Sequence, residues 1–136
     1  MSKLPNVGTT IFSVMSKLAN ETGAINLSQG FPNFPVDTAL TDIIKRKADQ
    51  NIHQYTPMPG SSELLAAVGG LIKKSYNRTV NTDSELLISA GATQGIFTTI
   101  MALIETGDEV IILDPSYDCY EPSVILAGGT PVRVPL

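Results

Sequence analysis

The chain has 136 residues, a length that suits one domain or part of a larger one and allows about two-thirds of the unfolded surface to be buried. Apolar residues make up 43% and charged residues 16%, a globular balance rather than a disordered one. The net charge is −4 and the longest basic run is Lys45-Arg46-Lys47, which argues against nucleic acid or an anionic membrane as partner.

Residues 1–9, with Pro5 and Gly8, read as irregular. From Thr10 to Thr22 the positions Ile11, Phe12, Val14, Met15, Leu18 and Ala19 form a helical stripe, and Gly23 stands where a C-cap glycine belongs. "AINLSQGFPNFP" reads as a short extended piece and then a loop pinned by Gly30, Pro32 and Pro35. A helix is predicted from Asp37 or Thr38 to about Gln50, with Lys45, Arg46 and Lys47 in its later half, where the helix dipole favours cations. "HQYTPMPGSS" is a second proline/glycine loop, after which Ser61 or Ser62 caps a helix to roughly Asn77. Gly69-Gly70 inside that helix points to close packing against another element.

The remainder alternates. "ELLISA" (85–90) reads as a strand, 93–105 as a helix stopped by Gly107, and "EVIILD" (109–114) as a strand. Residues 118–127 read as a short helix capped by Asp118 and ending at Gly128-Gly129, and "TPVRVPL" as the start of a third strand. This order implies βαβ units and a parallel sheet with right-handed connections. Parallel strands need both faces covered, and two short helices cannot cover a full sheet. The expectation is the front part of a larger α/β protein.

Cys119 is the only cysteine and His53 the only histidine, so an internal disulfide and a histidine-rich zinc cluster are both excluded within the chain. A reducing cytoplasm fits the lone cysteine. "MSKLPNVGTTIF" has neither the apolar region of an export signal nor an arginine-rich amphipathic stretch. No apolar run approaches the ~20 residues of a membrane span. The tetrapeptide MSKL occurs at 1–4 and again at 15–18, but the flanks differ and no period follows.

The stretch "SAGATQG" (89–95) joins a strand to a helix with few reactive side chains. Ligands of parallel α/β sheets bind at the carboxyl edge of the strands, and the free N–H groups of a helix start suit a phosphate. Gly91 lets the backbone approach closely and Thr93 adds a hydroxyl donor; an ordinary strand-to-helix turn has the same appearance. Tyr117 leaves the same edge one unit later. It reads either as a ring that stacks on a flat ligand or as a boundary tyrosine with a wet hydroxyl.

Taken together, "INLSQGFPNFP", "QYTPMPGSSELLAAV", "SAGATQGIF" and "GDEVIILDPSYDCYEP" resemble, in this order and spacing, the front third of a class I pyridoxal-phosphate aminotransferase. The group most resembled is the methionine aminotransferase and kynurenine/glutamine transaminase type, over about Gly8 to Leu136. The resemblance implies an α/β fold, the N-terminal part of a fold-type I pyridoxal-phosphate transferase. Residues 1–36 would be the arm and a small-domain segment, and 37–136 the first, incomplete part of the large cofactor-binding domain. It implies that Gly91, Ala92 and Thr93 hold the phosphate of pyridoxal 5'-phosphate and that Tyr117 stacks on its ring. Tyr55 would reach the phosphate of the partner's cofactor in a homodimer with shared active sites, and Gly30 and Phe12 would lie beside the substrate.

The lysine that carries the cofactor in this family lies far downstream, and Lys3, Lys17, Lys45, Lys47, Lys73 and Lys74 do not match its setting. No catalytic residue and no metal ligand is therefore expected in the chain, and the chain by itself is expected to be inactive. The complete protein is expected to move an amino group between an amino acid and a 2-oxo acid. Donors of methionine, aromatic, glutamine and kynurenine type all remain open, as does a beta-lyase side activity. The alternative is a non-catalytic fragment or dimerising remnant that binds phosphate-bearing ligands. A dinucleotide-binding module is disfavoured, because only Gly91 and Gly95 stand where that fingerprint needs three glycines.

Overall fold

A computed structural model describes residues 2–136. The architecture is α/β: α1 (Ile11–Thr22), α2 (Thr38–Ala48), α3 (Ser62–Tyr76), α4 (Ala92–Leu103), β1 (Glu109–Asp114), α5 (Tyr120–Ala127) and β2 (Thr130–Pro135). The chain divides into two compact units, Met1–Phe31 with Ala90–Leu136, and Pro32–Ser89.

Local chemistry sets the first three helix starts. Thr10 accepts from the Ser13 N–H at 3.4 Å, Asp37 from the Ala39 N–H at 2.8 Å, and Ser61 from the Leu64 N–H at 3.3 Å. Gly23 (φ 66°) and Asn77 (φ 51°) end α1 and α3 in the left-handed conformation. Lys45, Arg46 and Lys47 occupy the last turn of α2. That helix stops at Ala48, two residues before the predicted end.

In the first unit, β1 and β2 pair in parallel with Glu109 opposite Thr130 and Asp114 opposite Pro135. The crossover helix α5 packs on both strands and on α4. Val124 of α5 is fully buried and Ile112 of β1 is 5% exposed, so the core sits where α5 meets the sheet. Alternation along β1 turns Ile111 and Leu113 to the opposite face, where both are exposed. One face of the parallel pair is thus uncovered, as two short helices on a parallel sheet require.

The Pro32–Ser89 unit is built around α3. Here an added Cβ on Gly69 would stand 3.1 Å from Thr82 Cγ2, so close packing holds at that position, while Gly70 faces open space. The Glu85 carboxylate accepts from the Asn81 N–H at 2.6 Å and from Arg78 at 3.0 Å. The backbone bond first, then the guanidinium, hold its pKa below the usual carboxylate value. Gly60 (φ 119°) lies under Ile88, and a Cβ there would meet Ile88 Cγ1 at 2.5 Å. Gly60→Ala is expected to lower stability by about 1–3 kcal/mol through overpacking. The left-handed φ of Gly60 adds strain to this clash; denaturant unfolding measures the loss, and an unchanged midpoint would show that both the backbone and Ile88 adjust freely.

Three expectations need correction. Residues 85–90 form no strand, and the sheet of the described residues has two strands, not three. A strand exists through its ladder, and the Ile88 N–H instead donates to Pro59 O at 2.8 Å. "AINLSQGFPNFP", expected as an extended piece and loop, holds no helix or strand, and Asn26 Oδ1 takes the Ser28 N–H at 3.0 Å to turn the chain locally. The helix expected over 93–105 spans Ala92–Leu103, with Ile104 and not Gly107 at its end. Asp118 caps nothing: the Tyr120 N–H donates to Tyr117 O at 3.3 Å, and this turn delays α5 to Tyr120 with Cys119 as N-cap.

Candidate functional site

The start of α4 differs from the starts of α1, α2 and α3 in having no side-chain cap. Its N-cap residue is Gly91, at φ 91° and ψ 163°, a conformation that side chains disfavour. A Cβ on Gly91 would meet nothing within 4 Å, so the space beside the turn is open. Gln94 reaches back to accept the Ala90 N–H, which closes the turn one residue upstream of the N-cap. Gly91, Ala92 and Thr93 are all exposed. The first-turn N–H groups of a helix and the positive end of its dipole favour an anion. This donor set, with the Thr93 hydroxyl added, suits the three oxygens of a phosphate monoester. The start of α5 also lacks a side-chain cap, but it begins from a turn in the helical conformation at Cys119.

Packing of α4 on α5 brings a second element to this place. The Thr93 hydroxyl lies near enough to the Cys119 thiol to lower its pKa, which puts the α4 start and the loop carrying Tyr117 on one edge of the unit. Tyr117 is 46% exposed and meets Tyr120 edge-on, with ring centroids 5.9 Å apart and planes at 71°. The ring is thus partly open to solvent, and an aromatic ring so placed can stack on a flat ligand. Sequence reading overlooked Cys119. Its only signal was its position two residues after Tyr117, and the influence of Thr93 spans the whole βα unit between them.

Burial raises the Cys119 pKa first, the Asp118 carboxylate raises it further, and the Thr93 hydroxyl partly offsets both. The thiolate is the nucleophile, so alkylation of Cys119 is expected to be slower at neutral pH than that of free cysteine. The midpoint of its rate–pH profile should lie above the ordinary thiol value and fall in Asp118→Asn. Peptide-resolved iodoacetamide labelling checks this, and a midpoint at or below the free thiol's contradicts it.

The other residues singled out by sequence lie as follows. Phe12 is half-buried on α1, and Gly30 is exposed with open space around it. Among the described residues α1 packs on no other helix or strand, and the segment after it folds back through Asn26, which donates to Ser16 Oγ at 3.1 Å. Tyr55 belongs to the Pro32–Ser89 unit and is fully exposed. All six lysines are exposed, and Lys17 and Lys45 pair with Glu21 and Asp42 on their own helices. No group of metal-binding side chains occurs among the described residues, and none of their helices is long and apolar enough to cross a membrane.

The family described as Aminotransferase class I and II matches residues 22–136. The chain is 44% identical to the methionine aminotransferase of Escherichia coli, over 99% of the chain and 35% of that protein. It is 38% identical to kynurenine–oxoglutarate transaminase 3 of Homo sapiens, over 98% of the chain and 30% of that protein. Among solved structures, YbdL from Escherichia coli, described as having a methionine aminotransferase function, superposes with a TM-score of 0.93 at 43% identity. That match covers 100% of the chain and 36% of YbdL. The N-succinyldiaminopimelate aminotransferase from Mycobacterium tuberculosis follows at a TM-score of 0.91 and 35% identity, over 100% of the chain and 35% of that structure. The chain therefore spans about a third of the length of these relatives.

Proposed function

We propose, from the premise that this chain belongs to the class I and II aminotransferase family, that the complete protein transfers an amino group from an amino acid to a 2-oxo acid with pyridoxal 5'-phosphate as cofactor. The observation that carries this reading is the glycine-led start of α4, which has no side-chain cap and carries Thr93 in its first turn. Gly91, Ala92 and Thr93 would hold the phosphate through backbone N–H groups and one hydroxyl. Tyr117 would stack on the ring and fix its tilt. When bound, the cofactor supplies the electron sink for bond cleavage at the substrate's α-carbon.

The residues of this chain bind and orient; the group that moves the proton is proposed to lie on a downstream lysine. Gly30 and Phe12 would border the substrate, and Tyr55 would reach the phosphate held by a second subunit of a homodimer. Residues 1–36 would serve as arm and small-domain segment, and 37–136 as the first part of the cofactor-binding domain. The lone Cys119 suits the cytoplasm. The donor is proposed to be of methionine, aromatic, glutamine or kynurenine type, in keeping with the relatives' names.

Single-turnover assays test the reading. The complete protein, loaded with pyridoxal phosphate and given one such amino acid without acceptor, should release one equivalent of 2-oxo acid per site. Adding an acceptor should then start turnover. Tight phosphate-dependent binding of the cofactor with no 2-oxo acid from any of these donors would favour the non-catalytic alternative.

A further inference from the structure

Arg133 lies opposite Ile112 in the β1–β2 register, and Asp114 stands two residues further along β1 on the same face. This diagonal places the guanidinium within 3.2 Å of Asp114 Oδ2 through Nη1. Its other nitrogen, Nη2, reaches Glu121 Oε2 at 2.5 Å, in the first turn of α5. One side chain therefore ties together the two ends of the segment 114–121, and Tyr117 stands inside that segment.

Other bonds act at the far end of the segment, where Cys119 O accepts from the Ser123 N–H at 3.3 Å and from the Ser123 hydroxyl at 2.6 Å. Residues 115–119 belong to no helix or strand, and the internal restraint is the Tyr120 N–H to Tyr117 O bond at 3.3 Å. The Tyr117 ring meets only Tyr120 among aromatic neighbours and is nearly half exposed. Its position thus follows the backbone, and the backbone follows its anchored ends. A planar guanidinium can serve two carboxylates at once from one rotamer, and holding the second costs little further side-chain entropy once the first is bound. A lysine ammonium lacks that fork.

We propose that Arg133 is a positioning residue for the cofactor site, clamping Asp114 and Glu121 so that Tyr117 presents its ring at the right place and tilt. The inference rests on the reading of Tyr117 as the stacking residue. The clamp acts through Tyr117, so its effect should vanish when Tyr117 is gone.

The test uses the complete protein, titrated as apo-protein with pyridoxal phosphate, with the absorption of the bound cofactor recorded. Arg133→Met is expected to weaken binding about two- to fivefold, the range open to a partly exposed ion-pair network. It should also shift the absorption in the same direction as Tyr117→Leu. Arg133→Lys should recover part of the loss. Glu121→Gln, which keeps the shape and removes one partner, should give a smaller change of the same sign and serves if Arg133→Met does not fold. In a Tyr117→Leu background Arg133→Met should add nothing. Arg133→Met and Glu121→Gln proteins with wild-type affinity and absorption, beside a Tyr117→Leu protein that is altered, would overturn the clamp alone. Additive losses in the double variant would also overturn it. An unaltered Tyr117→Leu protein would overturn the stacking role and the clamp together.

Discussion

Thr93→Ala in the complete protein is expected to weaken pyridoxal phosphate binding by about tenfold to a hundredfold. A hydrogen bond to a charged group contributes about 1.5–3 kcal/mol, and each 1.4 kcal/mol is about a factor of ten in affinity. The backbone N–H groups of the α4 start survive the substitution, so binding should weaken and not disappear. The N-cap of α4 is Gly91, and Thr93 lies inside the helix, so loss of its hydroxyl removes no cap. The melting temperature of the apo-protein should consequently change little. Titration of apo-protein beside a melt without cofactor separates binding from folding. An unchanged dissociation constant would leave "SAGATQG" as an ordinary strand-to-helix turn.

Mixing two inactive variants of the complete protein is expected to restore activity in a statistical pattern. One variant carries Tyr55→Phe and the other lacks the downstream lysine. If Tyr55 serves its partner's site, each mixed dimer contains one site with both groups intact and one with neither. Random exchange makes half the dimers mixed, so about a quarter of wild-type site activity should return above that of the parent proteins. If Tyr55 served its own subunit, every site in the mixture would lack one group and no activity would return. The physical motive is the complete exposure of Tyr55 within its own unit, in a loop that also holds Pro57 and Pro59. A tyrosine with nothing packed on its ring is free to serve another surface.

Much of the fold follows from near neighbours in the sequence. Thr10, Asp37 and Ser61 cap their helices because the side chain bonds an N–H two or three residues ahead. Gly23 ends α1 for an equally local reason, and β1, α5 and β2 follow from an apolar run, a glycine pair and a second run. The family resemblance rests on four such stretches, and the match over residues 22–136 agrees with it. Within the candidate site, Gly91 and Thr93 were legible because a glycine before a helix with a hydroxyl in its first turn is a local pattern.

Tertiary structure decided the remainder. The sequence "ELLISA" carries strand character, but no second strand lies beside it among the described residues, so it joins no sheet. Asp118 has the chemistry of a cap, yet the turn from Tyr117 to Tyr120 places Cys119 at the helix start instead. The influence of Thr93 on the Cys119 thiol depends on how α4 packs against α5. The bridges from Arg133 reach partners 19 and 12 residues away and depend on the register of a parallel pair. Hydrogen bonds within a helical turn are set by spacing along the chain and can be read there. Those across a crossover depend on register and on which helix faces meet, and only the packed sheet fixes these.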